Sequence, residues 1–164
     1  MAKIRFAEGL NVLPVLAPIA FTTSAIDTEP VDMNINQWVT FLCNFGAMTS
    51  DSTDTVTVTV ICSSVETSAT GEEIPFNYRL SSAVDTDNMG AITAGTTDGV
   101  VITAEDDAKV LVIDVNPDII PGKKSDGRWV SLVLTPSAEM ASGVVGVIAV
   151  TEPRYPGNDI PSST

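Results

Sequence analysis

The chain contains no histidine, two cysteines, and eight lysines and arginines against 21 aspartates and glutamates. Each shortage closes off a class of chemistry. Without histidine, the commonest general base, the usual partner of a nucleophilic serine or cysteine and the commonest zinc ligand are all missing. A net charge of -13 gives a surface that repels nucleic-acid phosphates and anionic lipid, so neither nucleic acid nor membrane is expected as a partner. The same acidity keeps a crowded protein soluble. Aromatic residues make up 5% of the chain, which leaves few to stack on sugar rings. No run approaches the ~20 uninterrupted apolar residues of a membrane span, and there is neither a phosphate-cradling glycine loop nor a nucleophile elbow. Serine and threonine abound, but strand-face hydroxyls without a base beside them are not nucleophiles. The expectation is a non-enzymatic protein without cofactor or metal.

What is present is apolar and β-branched. Hydrophobic residues reach 44% and charged ones 18% of 164 residues, the composition of a chain that folds, with length for one domain around its own core. The most telling stretch is residues 54–65, DTVTVTVICSSV. Val56, Val58, Val60 and Cys62 fall on one side of an extended backbone and Thr55, Thr57 and Thr59 on the other, so this is a strand over a core, with its chain neighbours as expected sheet partners. A second strand covers residues 35–45, with Val39, Phe41, Cys43 and Phe45 on one face, and the polar GAMTSDST joins the two at hairpin length. Further strands are expected at 74–80, where Pro75 suggests a strand start or an edge, and at 100–103. The run 109–115, KVLVIDV, is apolar on both faces, as in a strand covered on both sides. Residues 128–135 alternate Val130, Leu132 and Leu134 against Trp129, Ser131 and Val133, and 144–151 closes the set with Gly146 marking a bulge or close approach. Residues 81–99 read as a long surface excursion and 116–127 as a loop, with room for one short helical turn. About seven short strands and hardly any helical period predict an all-β antiparallel sandwich or jelly roll.

Both ends depart from this pattern. Residues 1–25 set Lys3 and Arg5 before an apolar run ending in small residues, the outline of a secretory signal. Glu8 and Asn11 interrupt the run, and Pro14 and Pro18 break the helix such a signal needs. An extended arm is therefore expected, and its Leu13, Val15, Leu16, Ile19 and Phe21 must pack on their own domain or on another subunit. The closing EPRYPGNDIPSST reads as an exposed tail. The resulting division is 1–32 arm and lead-in, 33–152 sandwich core and 153–164 proline-rich tail.

Candidate chemistry is thin. Asp85, Asp87 and Gly90 match three positions of a calcium-binding EF-hand loop, but Met89 and Thr96 stand where oxygen ligands are needed, so a solvated turn is expected. Glu105, Asp106 and Asp107 read as a water-facing turn. Asp114 and Asp118 lack the concave surface that paired glycosidase acids require. Trp38 and Trp129 sit in apolar strands, where core packing explains them. Cys43 and Cys62 read as reduced core thiols, with a bridge between adjacent strands as the alternative.

Taken together, the apolar arm, the Thr/Val-rich strand followed by IPFNYRL, the small-residue DNMGAITAGTTDGV, then KVLVIDV, RWVSLVLT and the closing GVIAVTEPRYPGNDIPS resemble small decoration (cement) proteins of tailed bacteriophage heads. The likeness spans nearly the whole chain and is most specific at residues 151–155, TEPRY. It implies a non-enzymatic β-sandwich on the outer surface of the virion capsid, assembled in the host cytoplasm, which stabilises the lattice of the major capsid protein. It also implies self-association as a homo-oligomer, dimer or trimer. Leu13, Val15, Leu16 and Ile19 of the arm, with Arg154 and Tyr155 of the tail, are the expected contacts with capsid or subunit, and deleting residues 1–21 is expected to leave a folded sandwich. The rival expectations are a tail-tube or head-spike component of a virion, or a secreted carbohydrate-binding or adhesion module.

Overall fold

The computed structural model describes residues 9–48, 54–68, 70–83, 88–106, 108–137 and 143–154. Within them lie β1 (Asn11–Ala20), β2 (Ile26–Asp27), β3 (Val31–Asp32), β4 (Asn36–Phe45), β5 (Thr55–Ser63) and β6 (Glu72–Glu73). There follow β7 (Phe76–Leu80), β8 (Thr93–Gly95), β9 (Val100–Thr103), β10 (Val110–Val115), β11 (Trp129–Pro136) and β12 (Val144–Pro153). The protein is an all-β sandwich of two antiparallel sheets. The first runs β1-β12-β4-β10-β7-β8, and the second runs β2-β11-β5-β6, with β3 also on β11 and β9 also on β5. Short 3₁₀ turns at Ala104–Asp106 and Pro117–Ile119, the latter leading into one helical turn at Ile120–Lys123, complete the described elements.

The core is made by the faces that the period-two alternation selects. Val56, Val58, Val60 and Cys62 of β5, with Val130, Leu132 and Leu134 of β11, are fully buried against Phe41, Cys43 and Phe45 of β4, Leu111 and Ile113 of β10, and Val145 and Ala149 of β12. At ~25 cal/mol per Å² of apolar surface removed from water, these two facing layers are the main source of stability. Here the structure corrects one expectation: β4 and β5 do not form a hairpin. They lie in different sheets and meet across the core, with β5 paired to β11 on one side and to β6 and β9 on the other. The connection leaves β4 through Gly46, whose N–H donates to Val144 O, and buries Met48. Periodicity tells which side of a strand is apolar, and β4 and β5 need the same core from opposite directions. Similarly, part of the supposed excursion at 81–99 forms β8, hydrogen-bonded to β7.

A second correction concerns the ends. Residues 11–20 are not a loose arm but β1, a full edge strand on β12. Pro14 and Pro18 are tolerated because an edge strand has one unpaired side, and the register shifts between Pro14 and Leu16 and again between Leu16 and Ile19. Gly146 permits this approach, since a Cβ there would meet Pro18 Cγ at 3.3 Å. Val15 and Phe21 are core residues, so removing residues 1–21 would strip a strand from the first sheet. At the other end Glu152 and Pro153 still belong to β12, so the proline-rich tail starts later than the composition of EPRYPG suggests.

Thr28 closes the side of the sandwich between the sheets. β3 pairs with β11 at Trp129 and Val130, and β2 pairs with it at Val133 and Leu134. The gap is filled by Thr28, whose N–H donates to Leu132 O (3.0 Å) while its Oγ1 accepts from Leu132 N (2.9 Å). The next residue reaches the other sheet: Glu29 N donates to Val15 O on β1 (2.8 Å). A buried hydroxyl of the opposite kind is Thr151 on β12, whose Oγ1 has no hydrogen-bond partner. Two substitutions of the same shape are therefore expected to have opposite signs in urea unfolding. Thr28→Val leaves the Leu132 N–H buried and unpaired and destabilises by roughly 1–3 kcal/mol, whereas Thr151→Val removes an unsatisfied group and stabilises by about 1 kcal/mol.

Candidate docking surface

The outer faces of the two sheets differ. On the second sheet the outward residues Thr59, Ile61, Ser63 and Ser131 are nonetheless buried, because the chain after β5 folds back over them. Gly71 lies so close that a Cβ on it would sit 2.1 Å from Ile61 Cγ2, and Ser68 Oγ donates to Asp27 Oδ2 at 2.6 Å to pin the flap. Gly99, with φ +86°, carries the turn before β9 across Thr57 and Thr59; a side chain there would meet both strain and backbone.

The first sheet has no such roof among the described residues. Residues directly opposed in an antiparallel ladder share a face, which gives two outward rows. One runs Val12, Val150, Thr40, Asp114, Asn77, and the next Pro14, Ile148, Leu42, Val112, Arg79. Ala20 and Val144 extend the apolar end of the face. Among the described residues, five of the nine exposed large hydrophobics belong to the adjacent strands β1 and β12: Val12, Val144 and Ile148 on this face, and Leu13 and Ile19 opposite the core residues Ala149 and Val145. From Gly9 to Ile26 there is no charged residue, in a chain of net charge -13. Clustered apolar exposure of this kind on a strongly charged protein makes this face the candidate docking surface. The sequence signal for it was KVLVIDV: Leu111, Ile113 and Val115 are buried, but the outward Val110 and Val112 of β10 are only partly covered. Its two apolar faces reflect one core and one open surface.

The predicted contact residues separate accordingly. Leu13 and Ile19 are exposed on β1, Leu16 is half-buried against the core, and Val15 is 5% exposed and belongs to the core rather than to a contact. Arg154 is committed inside the chain, its Nε donating to Met33 O and Asn36 O at 3.0 Å each. Tyr155 lies outside the described residues, as do Asp85, Asp87 and Asp107.

The remaining polar groups have local partners. Asp106 accepts from Thr103 N, Thr103 Oγ1 and Lys109 Nζ; partial burial raises its pKa, but these bonds outweigh it and hold the carboxyl below its ordinary value. Among the described residues no three His, Cys, Asp or Glu side chains gather where a metal could bind. Both tryptophans are half-buried rather than core: Trp38 Nε1 donates to Glu152 Oε2 at 2.7 Å, and Trp129 lies under the Arg128 guanidinium, 4.8 Å from ring centroid. Arg128 in turn makes two bonds to Asp32, 2.9 and 2.5 Å. Cys43 and Cys62 are free and buried on opposite sheets; burial pushes the Cys43 thiol up to about 12 and raises Cys62 as well.

Comparison with protein-family models, curated proteins and solved structures finds no match to this chain. The site rests on its own geometry.

Two measurements check this description. Both thiols are expected to stay unlabelled by a maleimide at neutral pH in the folded protein and to react once it is unfolded in guanidinium, because only the exposed thiolate is reactive. The Arg128 hydrogen bonds lower the Asp32 pKa, so this pair stabilises the fold above the ordinary aspartate range and the contribution disappears as pH falls through the lowered folded value. Asp32→Asn is expected to flatten that part of the acid-denaturation profile.

Proposed function

We propose that this protein is a capsid decoration (cement) protein of a tailed bacteriophage. In this reading it is a non-enzymatic jelly roll, assembled in the host cytoplasm as a homo-oligomer, dimer or trimer, that sits on the outside of the head and braces the major capsid lattice. The observation that carries the proposal is the apolar exposure along β1 and β12, at Val12, Val144 and Ile148, on a protein otherwise dense in carboxylates. A body without histidine and with one apolar face is suited to hold other proteins, and repetition over a symmetric shell lets a modest interface per copy act through avidity.

Strand order supports the finer part of the reading. Setting aside β6, β7 and β8, which intervene between β5 and β9, the sheets read β1-β12-β4-β10 and β2/β3-β11-β5-β9. Strands that alternate between two sheets in this way, with the first beside the last, follow a jelly roll, an architecture found among viral capsid and lectin domains. The fold by itself assigns no activity.

The test is co-sedimentation with capsid shells of the virus whose genome encodes the chain. Ile148→Asp places a charge in the middle of the exposed row without touching the core. It is expected to leave thermal unfolding unchanged and weaken shell binding by roughly tenfold or more. Undiminished binding by this variant would remove the face from the contact, and no binding by the unmodified protein would overturn the reading.

A further inference from the structure

The outward face of the first sheet holds one polar constellation beside its apolar rows. Trp38 and Thr40 are two apart on β4 and so share that face, and each has an acid directly opposite in register, Glu152 on β12 for Trp38 and Asp114 on β10 for Thr40. The indole N–H is fixed on Glu152, and Thr40 Oγ1 donates to Asp114 Oδ1 at 2.5 Å. Trp38, Thr40 and Asp114, with Val39 and Val115, line an open hollow of about 280 Å³.

The second sheet contains the same pattern, filled. There Trp129 is directly opposite Asp32 in register, and the Arg128 guanidinium lies over the indole ring while bonding Asp32 through two nitrogens. A planar cation that stacks on a ring and forks onto a carboxylate satisfies both partners at once. Trp38 has the ring and two carboxylates, but among the described residues no lysine or arginine pairs with either acid. The ion pairs there are Lys109–Asp106, Lys124–Glu72, Lys124–Asp126 and Arg128–Asp32. Arg154, the nearest in sequence, turns its Nε to the carbonyls of Met33 and Asn36.

The geometry points to a socket at Trp38, Asp114 and Glu152 that receives an arginine side chain from the protein docked on this face. The inference rests on the first sheet's outer face being the docking surface, and it adds the chemistry of the partner: a basic protrusion beside an apolar patch. Charge favours this occupant, since a chain of net charge -13 draws a basic surface toward it and repels a second copy of itself or a phosphate-bearing ligand. The location fits as well, because Val150 and Val12 continue the Thr40–Asp114 row into the apolar side.

The socket can be tested without a capsid. In a titration of ¹⁵N-labelled protein with N-acetyl-arginine amide, the Trp38 indole resonance, assigned by its loss in Trp38→Phe, is expected to move saturably while that of Trp129 stays in place. Asp114→Asn should abolish the shift. Glu105→Gln, which removes one charge from the exposed 3₁₀ turn preceding the opposite end of β10, should leave it intact. Equal loss in the two variants would reduce the effect to net charge and overturn the socket. A Trp38 shift with methyl glucoside but none with the arginine amide would overturn it in favour of a saccharide subsite. Ile148→Asp separates the two readings: it should leave the arginine titration unchanged even where shell binding is lost.

Discussion

The placement of the exposed strip depends on a short stretch between β2 and β3. Thr28 takes the place of a missing ladder residue against Leu132, donating through its backbone and accepting through its side chain, and Glu29 then reaches across to Val15. One residue thus belongs to the second sheet and the next holds the edge strand of the first. Backbone groups buried between sheets must be paired, and here that requirement fixes how β1 lies on the flank of the sandwich. Val15 is anchored inward, while Leu13 and Ile19, opposite the core residues Ala149 and Val145, stay exposed because β1 is the edge strand. The bulges beside Pro14 and Pro18 absorb the mismatch with β12.

Much of the fold could be read from the chain. Seven of the described strands, β4, β5, β7, β9, β10, β11 and β12, were legible as short alternating or apolar runs, and the residues assigned to the apolar faces of β4 and β5 are buried. What alternation could not supply was partnership. β4 and β5 look like a hairpin because a short polar segment joins them, yet their nearest strands in space lie far away in sequence, β12 and β11. The strands that went unread are those of two or three residues, which are too short to show a period, and β1, whose prolines argue against a strand unless it lies at an edge. The candidate face was half legible. An apolar surplus in residues 9–26 and in β10 is visible in the letters, but which of those residues face water depends on register. The tryptophans illustrate the same limit, since apolar neighbours in sequence suggested the core and the ladder put each beside a carboxylate.

Charge and apolarity are segregated in this molecule. The second sheet turns a folded-over flap and a self-satisfied Arg128–Asp32–Trp129 cluster to solvent, while the first keeps its outward rows nearly neutral. Carboxylates elsewhere on the surface oppose approach by acidic partners. Much of the apolar exposure among the described residues lies along one side of the body.

The boundaries of both sheets carry one more consequence. A row of β1 is interrupted by prolines, β8 has three residues, β2, β3 and β6 two each, and β9 four. Each border of the sandwich is therefore too brief or too broken to template a further chain. Open strand edges invite growth into cross-β fibrils, and in this protein the short or interrupted borders oppose growth along the hydrogen-bonding direction.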